Sequence, residues 1–191
     1  AEPYLSGRAP LVVFAKTAEQ LFRQGRIDLE PPNDGLLEKL ARGTPLGRLG
    51  EIRQGIAENP ASVTRQTNQR HGNPWRTGEG VFALTPKELA DLDLGWREAT
   101  LIRPYHDLCD LGRYYLADEP SLRLIYSTAD TWPEPEMFPG LRDHLARFRP
   151  ILEARRETRR GTRGWWQLHW PREERLWQSA KLIALQMAPR P

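Results

Sequence analysis

The spacing of hydrophobic and polar positions changes several times along this chain, and each change marks an element. Leu11-Val12-Val13-Phe14 predicts a short buried strand. Thr17, with Gln20 three residues on, has the pattern of a capping box and predicts a helix to about Gln24. Leu36, Leu37 and Leu40 share one side of a helix predicted from Asp34 to Gly43. From Leu49 to Ile56 apolar and polar side chains alternate, which predicts a half-exposed strand opening a β-rich body. Residues 57–79 offer almost nothing to bury and predict a long loop. Gly80-Val81-Phe82-Ala83-Leu84 supplies the next strand. Thr85-Pro86-Lys87-Glu88 then combines an N-cap, a proline in the first helical turn and a reciprocal glutamate, so a helix starts there.

Further on, Arg113–Leu116 and Leu122–Tyr126 predict a β-hairpin across Ala117–Ser121. Trp132 to Glu136 reads as a connector, because its two prolines lack backbone donors. Phe138, Leu141, Leu145, Phe148 and Leu152 recur every three or four residues and define the packing side of an amphipathic helix. Pro150 lies inside that pattern and splits it into helical pieces or an αα-hairpin. A tryptophan-rich stretch with Trp165, Trp166, Trp170 and Trp177 follows, then an apolar strand, Lys181 to Leu185. At least two of these indoles are expected to close the core, since each buries roughly 150–250 Å². No internal repeat is visible.

The 191 residues leave room for one well-packed domain with a helical appendage. The division read from the pattern is a lead-in over 1–45 and a main body over 46–191. The formal charge is only +3, yet arginine outnumbers lysine 24 to 4, and residues 142–175 hold ten arginines against five acids. Charge is therefore concentrated late in the chain. The single cysteine, Cys109, cannot form an internal disulfide and fits a reducing cytoplasm. No apolar run is long enough for a membrane-spanning helix, and no signal-peptide pattern opens the chain. It begins at Ala1 without a methionine, so either a tag remnant opens it or it is a piece of a longer protein.

Catalytic chemistry finds little support. Neither a phosphate-binding loop nor a dinucleotide fingerprint is present. His106, Cys109 and Asp110 are spaced as metal ligands can be, but one histidine and one thiol are too few, and a turn is the simpler expectation. Asp107, Asp110 and Asp130 lack the partners of a nuclease centre. Glu30-Pro31-Pro32-Asn33 is the nearest string to the base-holding tetrapeptide of adenine methyltransferases, and it lacks both the leading Asp or Asn and the closing aromatic. Binding chemistry is richer. Arginine matches guanine edges while asparagine and glutamine match adenine, and the segment from 65 to 76 is built from such side chains. Its candidates for base readout are Arg65, Gln66, Asn68, Gln69, Arg70, Asn73 and Arg76. Arg155, Arg156, Arg159, Arg160 and Arg163 are candidates for the phosphate backbone, since so many neighbouring cations repel one another unless an anion is near.

The order of these blocks also carries a likeness. Leu49-Gly50-Glu51-Ile52 to Gly55-Ile56, the strand ending at Phe82, the block Leu101 to Tyr126, Leu152-Glu153-Ala154-Arg155-Arg156, Trp165-x-x-Leu168 and Lys181-Leu182-Ile183 together resemble the TaqI-like C-terminal specificity domain of adenine-specific DNA methyltransferases and fused restriction-modification enzymes. The resemblance spans about Leu46 to Pro189. It implies an α+β fold, a twisted β-rich body with a C-terminal helical hairpin, and a target-recognition role on double-stranded DNA. It also implies that 1–45 connects to a catalytic domain elsewhere, which would carry the S-adenosylmethionine. This chain then needs no cofactor and does not methylate alone. Two other classes fit the residues less well: a protein-interaction module docking on a DNA-modifying subunit, and a small nuclease.

Overall fold

The computed structural model describes residues 15–23, 26–27, 39, 42–112 and 115–183. Contacts divide the chain into two compact units, Ala1–Gln54 and Gly55–Pro191. In the first, α1 (Ala18–Leu21) is a single turn, and the predicted helix goes no further because the chain enters an antiparallel pair, β1 (Phe22–Arg23) with β2 (Arg26–Ile27). A second short helix, α2, spans Leu46–Leu49. The strand expected over 49–56 does not form. Its alternation has no face to bury, since Leu49 and Ile52 are exposed. The strand at 11–14 and most of the helix at 34–43 lie outside the described residues.

The second unit is mixed α and β. A three-stranded antiparallel sheet is ordered β3–β7–β4, from β3 (Ala83–Leu84), β4 (Ile102–Tyr105) and β7 (Leu122–Ile125). Between β3 and β4 lie two helices. The first of these, α4 (Pro86–Ala90), follows the capping box read from the sequence: the Thr85 hydroxyl accepts the Glu88 amide at 3.2 Å, and the Glu88 carboxylate accepts the Thr85 amide at 2.9 Å. The chain then passes through a turn into α5 (Trp96–Ala99). A further helix, α3 (Arg65–Arg70), precedes the sheet and is described with the site.

The predicted hairpin is replaced by a different pairing. Tyr115–Leu116 (β6) pairs with Leu111–Gly112 (β5), while both edges of β7 are occupied by β3 and β4. Asp110 explains the detour. Its buried carboxylate accepts the Asp107 amide and both the amide and hydroxyl of Ser121, which sets the β5–β6 pair aside from the main sheet and delivers Leu122 opposite Tyr105. The Ser121 and Asp107 hydrogen bonds, with His106 nearby, hold the Asp110 carboxyl below the usual carboxylate range.

The amphipathic pattern from Phe138 to Leu152 becomes two pieces, α6 (Pro139–Ala146) and α7 (Arg149–Glu153), and α8 (Arg156–Arg159) follows. Phe138, Leu141, Leu145, Phe148 and Leu152 are all buried, so the packing side is the one the spacing predicted. Pro150 sits in the first turn of α7, where its missing N–H leaves no hydrogen bond unmade. These residues close on the sheet through Val81, Phe82, Leu84, Leu124 and Ile125. Glu98 ties α6 to α5: its carboxylate accepts the Gly140 and Leu141 amides at 2.6 and 3.2 Å. A Cβ on Gly140 would lie 2.9 Å from that carboxylate, so glycine permits the approach.

Trp132 opens the predicted connector and is among the largest fully buried side chains, and the segment after it forms a 3₁₀ turn at Pro135–Met137. Its carbonyl accepts the Trp166 indole N–H at 2.8 Å. Trp165 and Trp166 pack, partly buried, against the core, whereas Trp170 is 43% exposed. The last helix among the described residues, α9, spans Arg175–Gln178. Residues 181–183 form no strand and are exposed. No helix among the described residues is long and apolar enough to cross a membrane.

Candidate nucleic-acid interface

The segment expected to be a long loop contains a helix with both ends finished. The Thr64 hydroxyl accepts the Thr67 amide at 3.1 Å as N-cap of α3. At the other end Gly72 adopts φ +81°, the left-handed conformation that favours glycine. The Asn73 amide reaches the Asn68 carbonyl at 2.8 Å and the Gly72 amide reaches the Gln69 carbonyl at 3.1 Å. That pair of bonds is a Schellman motif. Thr64 and Gly72 were therefore the signals in the sequence that mark this helix.

The excursion closes on itself below the helix. Val63 and Glu79 pair, the Gly78 amide returns to the Val63 carbonyl at 2.8 Å, and Ser62 bridges Gly80. Above this neck, the buried Asn68 side chain donates to the Trp75 carbonyl at 2.6 Å and accepts the Trp75 amide at 3.2 Å. Trp75 in turn packs its ring on Phe148 and donates its indole N–H to the Arg147 carbonyl at 2.9 Å. Arg147 reaches back to the Glu79 carboxylate. The segment is thus stapled to α6 and α7.

This frame sorts the base-readout candidates. Arg65, Gln66, Gln69, Arg70, Asn73 and Arg76 are exposed. Asn68 is not available: it is 5% exposed and both ends of its amide are engaged by Trp75. Arg76 lies 3.4 Å from Glu88, whereas Arg65 and Arg70 have no ion-pair partner among the described residues. From Asn59 to Gly78 the chain contains no aspartate or glutamate.

The phosphate candidates divide in the same way. Arg155 is corrected from a surface cation to a core one. It is 6% exposed, and its guanidinium donates to the carbonyls of Leu152, Asn59, Gln167, Gly164 and Trp165 at 2.9–3.4 Å. Burial pulls its pKa down to about 10, so it stays charged at neutral pH. Arg156 is exposed and paired with Glu157 at 2.8 Å. Arg163 is half-buried, and Arg159 and Arg160 are exposed, all three without an ion-pair partner among the described residues.

His144 and His169 are engaged within the fold. His169 Nδ1 lies 3.1 Å from the Glu157 carboxylate, and burial nevertheless keeps the imidazole below its ordinary pKa. His144 is buried with Nε2 3.0 Å from the Val81 carbonyl, so Nε2 carries the proton and donates. Among the described residues, no group of three or more histidine, cysteine or acidic side chains is arranged to hold a metal ion. A cavity of about 550 Å³ lies between α4, α5 and the sheet, with Arg103 and Arg123 at its edge. Arg103 pairs with Glu174 at 2.8 Å, and Arg123 donates to the Pro120 and Leu122 carbonyls. No protein-family model and no curated protein sequence matches this chain.

Proposed function

We propose that this chain is the target-recognition domain of an adenine-specific, S-adenosylmethionine-dependent DNA methyltransferase of a restriction-modification or related phage-defence system, and that it binds double-stranded DNA in a sequence-dependent way. The observation that carries this reading is the acid-free segment from Asn59 to Gly78, which presents Arg65, Gln66, Gln69 and Arg70 to solvent on a braced frame. A mobile, solvated insertion would need neither the Asn68–Trp75 clamp nor the tie to Arg147. Arg159 and Arg160, exposed and without an ion-pair partner among the described residues, supply a second cationic surface suited to phosphates. The methyl donor and the target adenine belong to a catalytic domain, and this chain contributes the selection of the site.

The test is a DNA titration across salt concentration. Each neutralised phosphate releases counterion, so affinity should fall steeply as salt rises, and Arg159→Ala with Arg160→Ala should make the log–log slope shallower by about two. A salt response that is flat, or unchanged in the double variant, removes the backbone assignment. Absence of DNA binding by the chain removes the function.

A further inference from the structure

Resting on that DNA reading, we infer that α3 (Arg65–Arg70) is a recognition helix that lies in the major groove and reads about three successive base pairs through Arg65, Gln66, Gln69 and Arg70. With about 100° of rotation per residue, these four side chains fall within an arc of about 140°. Thr67 and Asn68 take the opposite side, half-buried and buried respectively. The exposed arc therefore consists only of two guanidinium and two primary amide groups. Those are the side chains with bidentate matches to guanine O6/N7 and adenine N6/N7.

Length sets the extent of the subsite. Six residues rise about 9 Å, and base pairs stack about 3.4 Å apart, so the helix spans about three of them. Charge sets the partner. With no acid between Asn59 and Gly78, nothing on the segment opposes approach to the phosphates that flank the groove. Stability sets the purpose. A helix of six residues does not hold its shape alone, because nucleation is unfavourable and few bonds follow it. Here an N-cap, a Schellman turn, the Asn68 clamp and the Trp75–Phe148 contact hold it instead. Little ordering remains to be done on binding, which preserves affinity. A solvated surface turn has no need of that bracing.

The experiment selects duplexes from a randomised pool with the wild-type chain and with Gln69→Ala and Arg70→Ala, each checked for an unchanged far-ultraviolet circular dichroism spectrum. Both substitutions are at exposed positions, so the fold should survive them. The wild type should enrich a motif, and each variant should lose discrimination at one base pair of it by about 5- to 150-fold while the rest of the motif persists. If the wild type enriches a motif that both variants leave unchanged, α3 does not read it and the inference falls, while the DNA function stands. Equal weakening on all sequences would put these side chains on the backbone and also overturn it. Failure of the wild type to bind any duplex would remove the function itself.

Discussion

Arg155 shows how far a residue's surroundings can override its type. Five carbonyls from three stretches of chain, at Asn59, at Leu152 and over 164–167, converge on one guanidinium, and Phe82 lies beneath it with its ring centroid 5.7 Å from the guanidinium carbon. A planar fork with five donors fits this arrangement, whereas an ammonium has only three. Arg155→Ala should therefore destabilise the fold by about 3–5 kcal/mol, measured by urea denaturation, because carbonyls turned inward would lose their donors. A change similar to that of Arg159→Ala would contradict this. In the sequence Arg155 was indistinguishable from Arg156, Arg159 and Arg160, since all four are arginines in one charged run. What separates them is the extended backbone of Arg155, which points its side chain at a loop lying up to twelve positions ahead. No local pattern records that contact.

The elements legible in advance were those whose signals are local. The capping box at Thr85, the five apolar positions of the basic helix and its interruption at Pro150 all took the expected form. Elements that depend on a distant partner did not. Strand character and the turn at Ala117–Ser121 pair 113–116 with 122–126, but Asp110 and Ser121 decide which strands meet. The helix α3 fell between these cases, with its caps written in the chain and its side chains too polar to suggest packing. Asn68 makes that distinction measurable. Asn68→Ala would leave the Trp75 amide and carbonyl without their partners and should cost about 1–3 kcal/mol, together with faster amide hydrogen exchange across 65–75. Unchanged exchange would show that the clamp is not what holds the helix.

On the scale of the whole second unit, His144 joins the helices to the sheet and makes its stability depend on pH. Burial lowers its pKa from the ordinary value, and neighbouring Arg147 acts in the same direction, while the Val81 carbonyl, Glu79 and Glu88 oppose them. The unfolded chain, with an imidazole near its usual pKa of about 6.5, then takes up the proton more readily than the folded one. This contribution is complete above about pH 6.5 and is lost as pH falls through the folded value. His169 is shifted the same way. Glu88, Asp110 and Glu157 are held below their ordinary values, so their contributions disappear only in stronger acid. The urea midpoint should therefore drop between pH 7 and pH 5, and His144→Gln, whose amide can still donate to Val81, should remove much of that drop. An identical slope in the variant would assign the effect elsewhere.

The strand order β3–β7–β4 also governs when this unit can take shape during synthesis. The middle strand is the last of the three to leave the ribosome, and the two that flank it make no ladder with each other. A nascent chain ending before Leu122 thus holds β3 and β4 without the strand that joins them, and α6 and α7 have yet to be made. Until Ile125 has emerged the three-stranded sheet cannot form, so any shortened product ending earlier should be degraded rather than accumulate.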